Sequence, residues 1–186
     1  MLFQKHNESR ARNIIAQFEG LITPGEKVLD IGLGNGIIAQ HIKNRFNAEV
    51  EGVDVVDYNE TNIKNTIYNG LQLPFKDDSF DSVLILETLH HCTDMIQVLK
   101  ETKRVVKKHV IIMEDFYENF FEKYLLLFHD YISNIRKGVH CPYYFQSKKR
   151  WKEIFGEIGL KIGQEKDYLS KFLIFDSKHV IFVLSK

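Results

Sequence analysis

Cysteine is scarce in this sequence. Cys92 and Cys141 are its two thiols in 186 residues. Two cysteines do not make the disulfide framework of a small secreted domain, so a reducing, cytoplasmic setting is expected. An excess of charge of either sign is also missing. Lys+Arg and Asp+Glu both number 25, for a formal net charge of zero. That balance argues against a dedicated nucleic-acid binder, which carries a basic surplus. The short basic runs Lys107-Lys108 and Lys148-Lys149-Arg150 read as solvated faces. No apolar run approaches the length of a membrane span. The opening "MLFQKHNESR" lacks the hydrophobic stretch of a signal peptide. Internal repeats, low-complexity tracts and linkers are absent as well. What remains is an ordinary globular composition, 44% hydrophobic, in a chain long enough for one domain, residues 1–186, with a sizeable core.

The pattern of apolar residues predicts alternating elements. A helix is expected over 7–19, with Asn7 or Ser9 as cap. Strands follow at 27–31 ("KVLDI"), 48–54, 66–69 and 80–87 ("FDSVLILE"), the last apolar enough for a central parallel strand. Helices are expected at 36–46, 59–65 and 94–104, then a strand at 109–114 ("HVIIME"). A long aromatic-rich helix is expected over 116–136 and another over 147–158 around Trp151. The end departs from the alternation. "LKIGQEKDYLS" and "KHVIFVLSK" read as two strands with "FDSK" between or near them. A link that short makes the pair antiparallel, because a parallel pair needs a crossover of a dozen or more residues.

The stretch "VLDIGLGNG", Val28 to Gly36, poses the chemical question. A buried strand runs into Asp30, then into glycines at every second position: Gly32, Gly34 and Gly36. Such a turn brings backbone close to a ligand at a helix N-terminus. The spacing is G-x-G-x-G, whereas the dinucleotide fingerprint is G-x-G-x-x-G. Ile37 stands where the third glycine of that fingerprint belongs. Asp30 would repel a pyrophosphate and would suit a ligand with positive charge, such as an ammonium or a sulfonium.

With these residues the sequence resembles the class I S-adenosylmethionine-dependent methyltransferases, in their small-molecule branch. "VLDIGLGNG" is similar to the family's first motif. "VEGVD" ends a second strand in Asp54. "LPFKDDSFDSVLILETLHH", residues 73–91, is similar to the "LPF…DSFD…LHH" segment. The resemblance implies an α/β fold, a Rossmann-like three-layer sandwich with a mostly parallel seven-stranded sheet ending in an antiparallel hairpin. It implies S-adenosylmethionine as cofactor and a small-molecule methyl acceptor. No nucleic acid, membrane or metal is implied, and the chain would be a monomer or homodimer.

Roles follow from the same resemblance. Gly32, Gly34 and Gly36 would form the turn under the cofactor's amino-acid and ribose parts. Asp30 would lie near the methionine ammonium, Asp54 would bind both ribose hydroxyls, and Val55 would pack on the adenine. Asn69 stands where relatives carry an aspartate for the adenine amino group. Gly70 and Leu71 would give backbone contacts to the adenine edge, and Glu87 would face the methionine portion. Each acid also has a plain structural reading, Asp30 as a cap and Asp54 as a turn residue in "VDVVDYN". The stretch "RVVKKHVIIMED" lacks the Pro-Gly-Gly turn of many relatives, which predicts a tighter turn before the fifth strand.

Transfer of a methyl group from a sulfonium needs alignment, a dry pocket and at most a base. No universal catalytic residue is implied. His90, His91 and Glu114 are the leading candidates, with Asp115, His129, His140 and Tyr143 behind them. Asp115 has the alternative of capping the long helix. "HHC" at 90–92 and "HC" at 140–141 raise a thiol or metal site, against which neither stretch has ligand spacing. An S-adenosylmethionine-binding protein without catalysis, or a regulatory partner subunit, stays open beside the enzyme. Residues 1–19, with Phe3, His6, Arg10 and Arg12, are expected to form a lid helix, and 116–146 a substrate-covering insertion.

Overall fold

A computed structural model describes residues 2–134, 144–172 and 175–186. The core is a sheet of seven strands: β1 (Lys27–Ile31), β2 (Glu49–Asp54), β3 (Lys64–Ile67), β4 (Phe80–Leu86), β5 (Val106–Asp115), β6 (Lys161–Phe172) and β7 (Phe175–Ser185). Their order across the sheet is β3-β2-β1-β4-β5-β7-β6. The first five are parallel to one another. β7 inserts antiparallel between β5 and β6. The helices are α1 (Leu2–Ile15), α2 (Ile37–Phe46), α3 (Met95–Val105), α4 (Phe120–Asn134) and α5 (Lys148–Ile158).

Central strands buried on both faces must be apolar at every position, and their residues sort by alternation. Leu29, Ile31, Val83, Ile85, Val110 and Ile112 share one cluster with Val98 and Leu99 of α3 and Trp151, Ile154 and Phe155 of α5. Val28, Leu84, Ile111 and Met113 share the other with Ile14 of α1, Phe18 after it, and Ala39 and Ile42 of α2. The result is the expected three-layer α/β sandwich. Among the described residues, no helix is long and apolar enough to cross a membrane.

Several expectations are corrected. No helix forms over 59–65. There the side chains of Asn59 and Thr61 capture the backbone: Asn59 Oδ1 accepts the Thr61 N–H at 2.9 Å and Thr61 Oγ1 accepts the Ile63 N–H at 3.2 Å. Local bonds of this kind compete with a helix, so β2 reaches β3 by a helix-free loop. The strand expected at 66–69 lies at Lys64–Ile67. The aromatic helix begins at Phe120, not at 116. Asn119, not Asp115, caps it, its Oδ1 accepting the Glu122 N–H at 3.0 Å, while Phe116 is buried in the core and bridges to Gln146. "FDSK" is not the link between the last strands but the start of β7, since pairing continues out to Phe172 and Phe175.

The tight turn expected before β5 is the tightest available. α3 ends at Val105 and β5 begins at Val106, with the Val106 N–H still bonded to Thr102 O. α1 starts at Leu2, so Asn7 and Ser9 lie inside it. Ala11, Ile14 and Ile15 of α1 are buried, which fastens its second half to the scaffold. Ile135 to Tyr143, and the side chains of Phe3, His6 and His129, lie outside the described residues, and with them the expectations for His140 and Cys141.

Candidate functional site

In open α/β sheets, ligands sit beyond the carboxyl ends of the strands. Asp30, the glycine turn, Asp54, Val55, Asn69, Gly70, Leu71, Glu87, His90, His91, Glu114 and Asp115 all lie at that edge or in the loops that leave it. β1 delivers the glycine turn. Gly32 has φ +81° and Gly34 φ +56°, values that side-chain-bearing residues rarely adopt. A Cβ on Gly32 would stand 2.3 Å from Thr88 Oγ1, so the turn is pressed against the loop after β4. Over Gly34 a Cβ would meet nothing within 4 Å. The turn is closed below and open above. Gly36 takes up the cap position of α2.

Asp54 ends β2 and ties the turn to it. Its Oδ2 accepts the Gly34 N–H at 2.8 Å and its Oδ1 accepts the Val55 N–H at 2.7 Å. A carboxylate has about four acceptor positions, so further donors can still be bound. Val55 and Leu71 beside it are exposed to 51% and 41%, large values for apolar side chains in a folded protein. Gly70 lies against Val55, which would be 3.3 Å from a Cβ there. Asn69, at the position implied for the adenine amino group, spends its side-chain carbonyl locally. Its Oδ1 takes the N–H groups of Leu71 and Gln72, each at 2.9 Å, and so builds the 69–72 turn.

Asp30 is 3% exposed. Burial first, and the charge of Asp54 second, push its carboxyl up to about 7. An isolated buried carboxylate is costly, and a cation placed beside it would restore the charged form. This is a concrete test of the cofactor that the sequence implies. Two acids without a cationic partner among their described bonds, an open space over Gly34 and an exposed apolar shelf at Val55 and Leu71 fit a molecule with a positive charge, a diol and a flat ring.

Glu87 closes β4 at φ +51°, strained for a residue other than glycine. Its carboxylate pairs with Arg10 of α1 and lies 3.6 Å from His179 Nδ1. Burial alone would raise its proton affinity, but Arg10 and His179 outweigh that and hold it below the ordinary carboxylate range. Glu114 is fully buried. One oxygen accepts the N–H groups of Thr88 and Leu89 at 2.8 and 2.7 Å, and the other lies 2.5 Å from His90 Nδ1. His90, 2% exposed, stacks on Phe145 with centroids 4.4 Å apart. His91 packs on the His90 ring. Cys92 donates to Thr88 O at 3.4 Å, and burial followed by the charge of Glu114 pushes its thiol up to about 12, far from thiolate. Among the described residues, no group of three His, Cys, Asp or Glu converges to hold a metal.

Sequence reasoning missed His179, Ser170 and the partner of Arg10. The available signal was a histidine opening an otherwise apolar strand, "HVIFVL".

Known proteins share this fold. Residues 29–113 match the family described as "Methyltransferase domain". A sterol 24-C-methyltransferase of Gibberella zeae is 31% identical over 117 residues, 53% of this chain and 31% of that protein. A demethylmenaquinone methyltransferase of Alkalihalophilus pseudofirmus is 31% identical over 57% of this chain and 50% of its own length. The chain thus spans from about a quarter to just over half of the length of the curated relatives it matches. The crystal structure of an SAM-dependent methyltransferase from Methanosarcina mazei superposes with a TM-score of 0.70 at 17% identity, covering 93% of this chain and 96% of that one, a likeness of fold alone. Residues 29–113 thus resemble a methyltransferase domain, and the whole chain shares the fold of S-adenosylmethionine-dependent methyltransferase structures.

Proposed function

We propose that the protein transfers a methyl group from S-adenosylmethionine to a small molecule by in-line displacement, as a single domain over residues 1–186. The observation that carries this reading is the open space over Gly34, whose N–H is held by Asp54, in the turn that follows the buried Asp30. The cofactor, when bound, supplies a methyl group already activated on a sulfonium. The chain's own residues bind, orient and exclude water. Gly32, Gly34 and Gly36 admit the ligand to the backbone. Asp30 balances its positive charge. Asp54 takes the ribose hydroxyls, because two oxygens on one carboxylate match a vicinal diol and charge strengthens such bonds. Val55, Gly70 and Leu71 receive the adenine. Asn69 shapes that pocket through its turn.

Arg10 and Glu87 form a pair of opposite charges at the methionine end. A zwitterionic amino acid presents the complementary pair. In this reading the first turns of α1, up to Arg10, act as a lid, with α4 on the same edge over the acceptor. Glu114 has no oxygen exposed to an acceptor and His90 is sealed by Phe145, so both hold the 88–91 turn in place. A small acceptor is in keeping with the sterol and demethylmenaquinone methyltransferases named above. The setting is cytoplasmic, and the unit a monomer or homodimer without nucleic-acid or membrane partners.

Calorimetry with S-adenosylmethionine, its demethylated product and NAD tests the reading. Binding of the first two is expected, and binding of NAD alone overturns it.

A further inference from the structure

Beyond Glu87 lies a polar cluster that cofactor binding does not use. His179 of β7 is 4% exposed. Its Nε2 stands 2.6 Å from Ser170 Oγ in a hydrogen bond, while its Nδ1 lies within ion-pair distance of Asp115 Oδ1, at 2.7 Å, without the alignment of a hydrogen bond. The ring of Tyr168 stacks on it with centroids 5.6 Å apart. A buried imidazole with a carboxylate on one nitrogen and a hydroxyl on the other is oriented to move a proton. Its place in the sheet adds to this. Asp115 is the last residue of β5 and pairs with His179 across the ladder. Ser170 pairs with Ser177, beyond the end of β5, and is half-buried. The hydroxyl is therefore the outermost member of the three, at the same sheet edge as Glu87 and the glycine turn.

We propose that Ser170, His179 and Asp115 form a proton relay serving the methyl acceptor, and that the acceptor reacts through a hydroxyl of phenol type. The proposal rests on the methyl-transfer reading above. In the step, the acceptor hydroxyl gives its proton to Ser170 Oγ while the Ser170 proton passes to His179 Nε2. The acceptor oxygen forms its bond to the methyl carbon as sulfur keeps the electron pair of the bond that breaks. Asp115 stabilises the imidazolium that results. A neutral amine attacks with a free lone pair and gains little from such a relay. A phenol, with a pKa of about 10, attacks as its anion and gains most.

The groups that face His179 are Asp115 on β5, Glu87 after β4, Arg10 on α1, and Tyr168 and Ser170 on β6. Burial lowers its proton affinity, but the contact with Asp115 and the charges of Asp115 and Glu87 outweigh burial and Arg10, and raise it above the ordinary 6.5. Only the neutral ring accepts a proton. Transfer should therefore rise with pH along the deprotonation of His179, at a midpoint above 6.5.

The test uses the full chain with phenols of graded acidity, from unsubstituted phenol to nitrophenols, and labelled S-adenosylmethionine. His179→Gln, Ser170→Ala and Asp115→Asn are compared with wild type in single turnovers. NMR follows the His179 ring, and calorimetry follows the demethylated cofactor. We expect His179→Gln to lose about 100-fold in rate on unsubstituted phenol and little on the nitrophenols, both read at saturating cofactor. Asp115→Asn should move the pH midpoint of both rate and NMR titration downward. Ser170→Ala, at a half-exposed site, keeps the test valid if His179→Gln does not fold. Wild-type rate and pH profile in the folded variants overturn the relay. A wild-type chain that binds cofactor yet methylates no phenol overturns it too. A chain that binds no cofactor overturns the underlying reading instead.

Discussion

Asp30 holds a proton at pH values where most aspartates have lost theirs. Its carboxyl is raised from 3.8 to about 7, so between those values the folded chain binds a proton that the unfolded chain has released, and stability falls as pH rises. Binding a cation reverses the preference. Cofactor binding near pH 6.5 should release up to about one proton, seen as a dependence of the calorimetric heat on the buffer's ionisation enthalpy. Asp30→Asn should abolish that dependence, and an unchanged dependence would move the proton to another group. Asp54→Ala should remove charge-assisted bonds of about 1.5–3 kcal/mol each, lowering cofactor affinity at least tenfold. A thermal melt will show that the variant folds, since Asp54 also accepts the Gly34 and Val55 N–H groups. Both acids are legible in the sequence because strand, acid and glycine follow one another within a few residues. The engagement of Asn69 in its own turn is not, because the family position suggests a partner and only the backbone geometry reveals a competitor.

At the scale of elements, the loop after β4 depends on β5. Glu114 collects two backbone N–H groups and the His90 ring within one buried site. Glu114→Ala would leave these donors unpaired away from water, at a cost of about 3–5 kcal/mol, measurable in denaturant. Loss of transfer without loss of stability would instead make Glu114 a base. Sequence patterns locate β1, β4, α3 and α5 to within a residue or two, since each is bounded by a charge, a cap or a glycine. They fail at 59–65 and at "FDSK", where side chains bonding to backbone and the reach of hairpin pairing decide the outcome. Neither leaves a periodic trace.

Across the whole molecule, the two ends of the chain meet. Arg10 near the N-terminus and His179 near the C-terminus both address Glu87 in the middle. A lid built from the first turns of α1 should exchange its amide hydrogens freely alone and slowly with the demethylated cofactor, as should α4. Equal exchange in both states would make these segments scaffold. Residues 11–18 should be protected in either state, because Ala11, Ile14, Ile15 and Phe18 are in the core.

By itself the sequence determined the alternation of elements, the antiparallel ending, the glycine turn with Asp30 and Asp54, and the kinship these imply. All of these are local, carried by residues a few positions apart whose spacing obeys the period of a strand or the geometry of a turn. Only the tertiary structure decided that Glu114 is buried under the 88–91 turn, that Arg10 reaches Glu87, and that Ser170, His179 and Asp115 stand together. Asp115 and His179 lie on strands that are neighbours in the sheet but distant in the chain. Their contact follows from the insertion of β7 beside β5, and a strand's partner is fixed by packing rather than by its own residues.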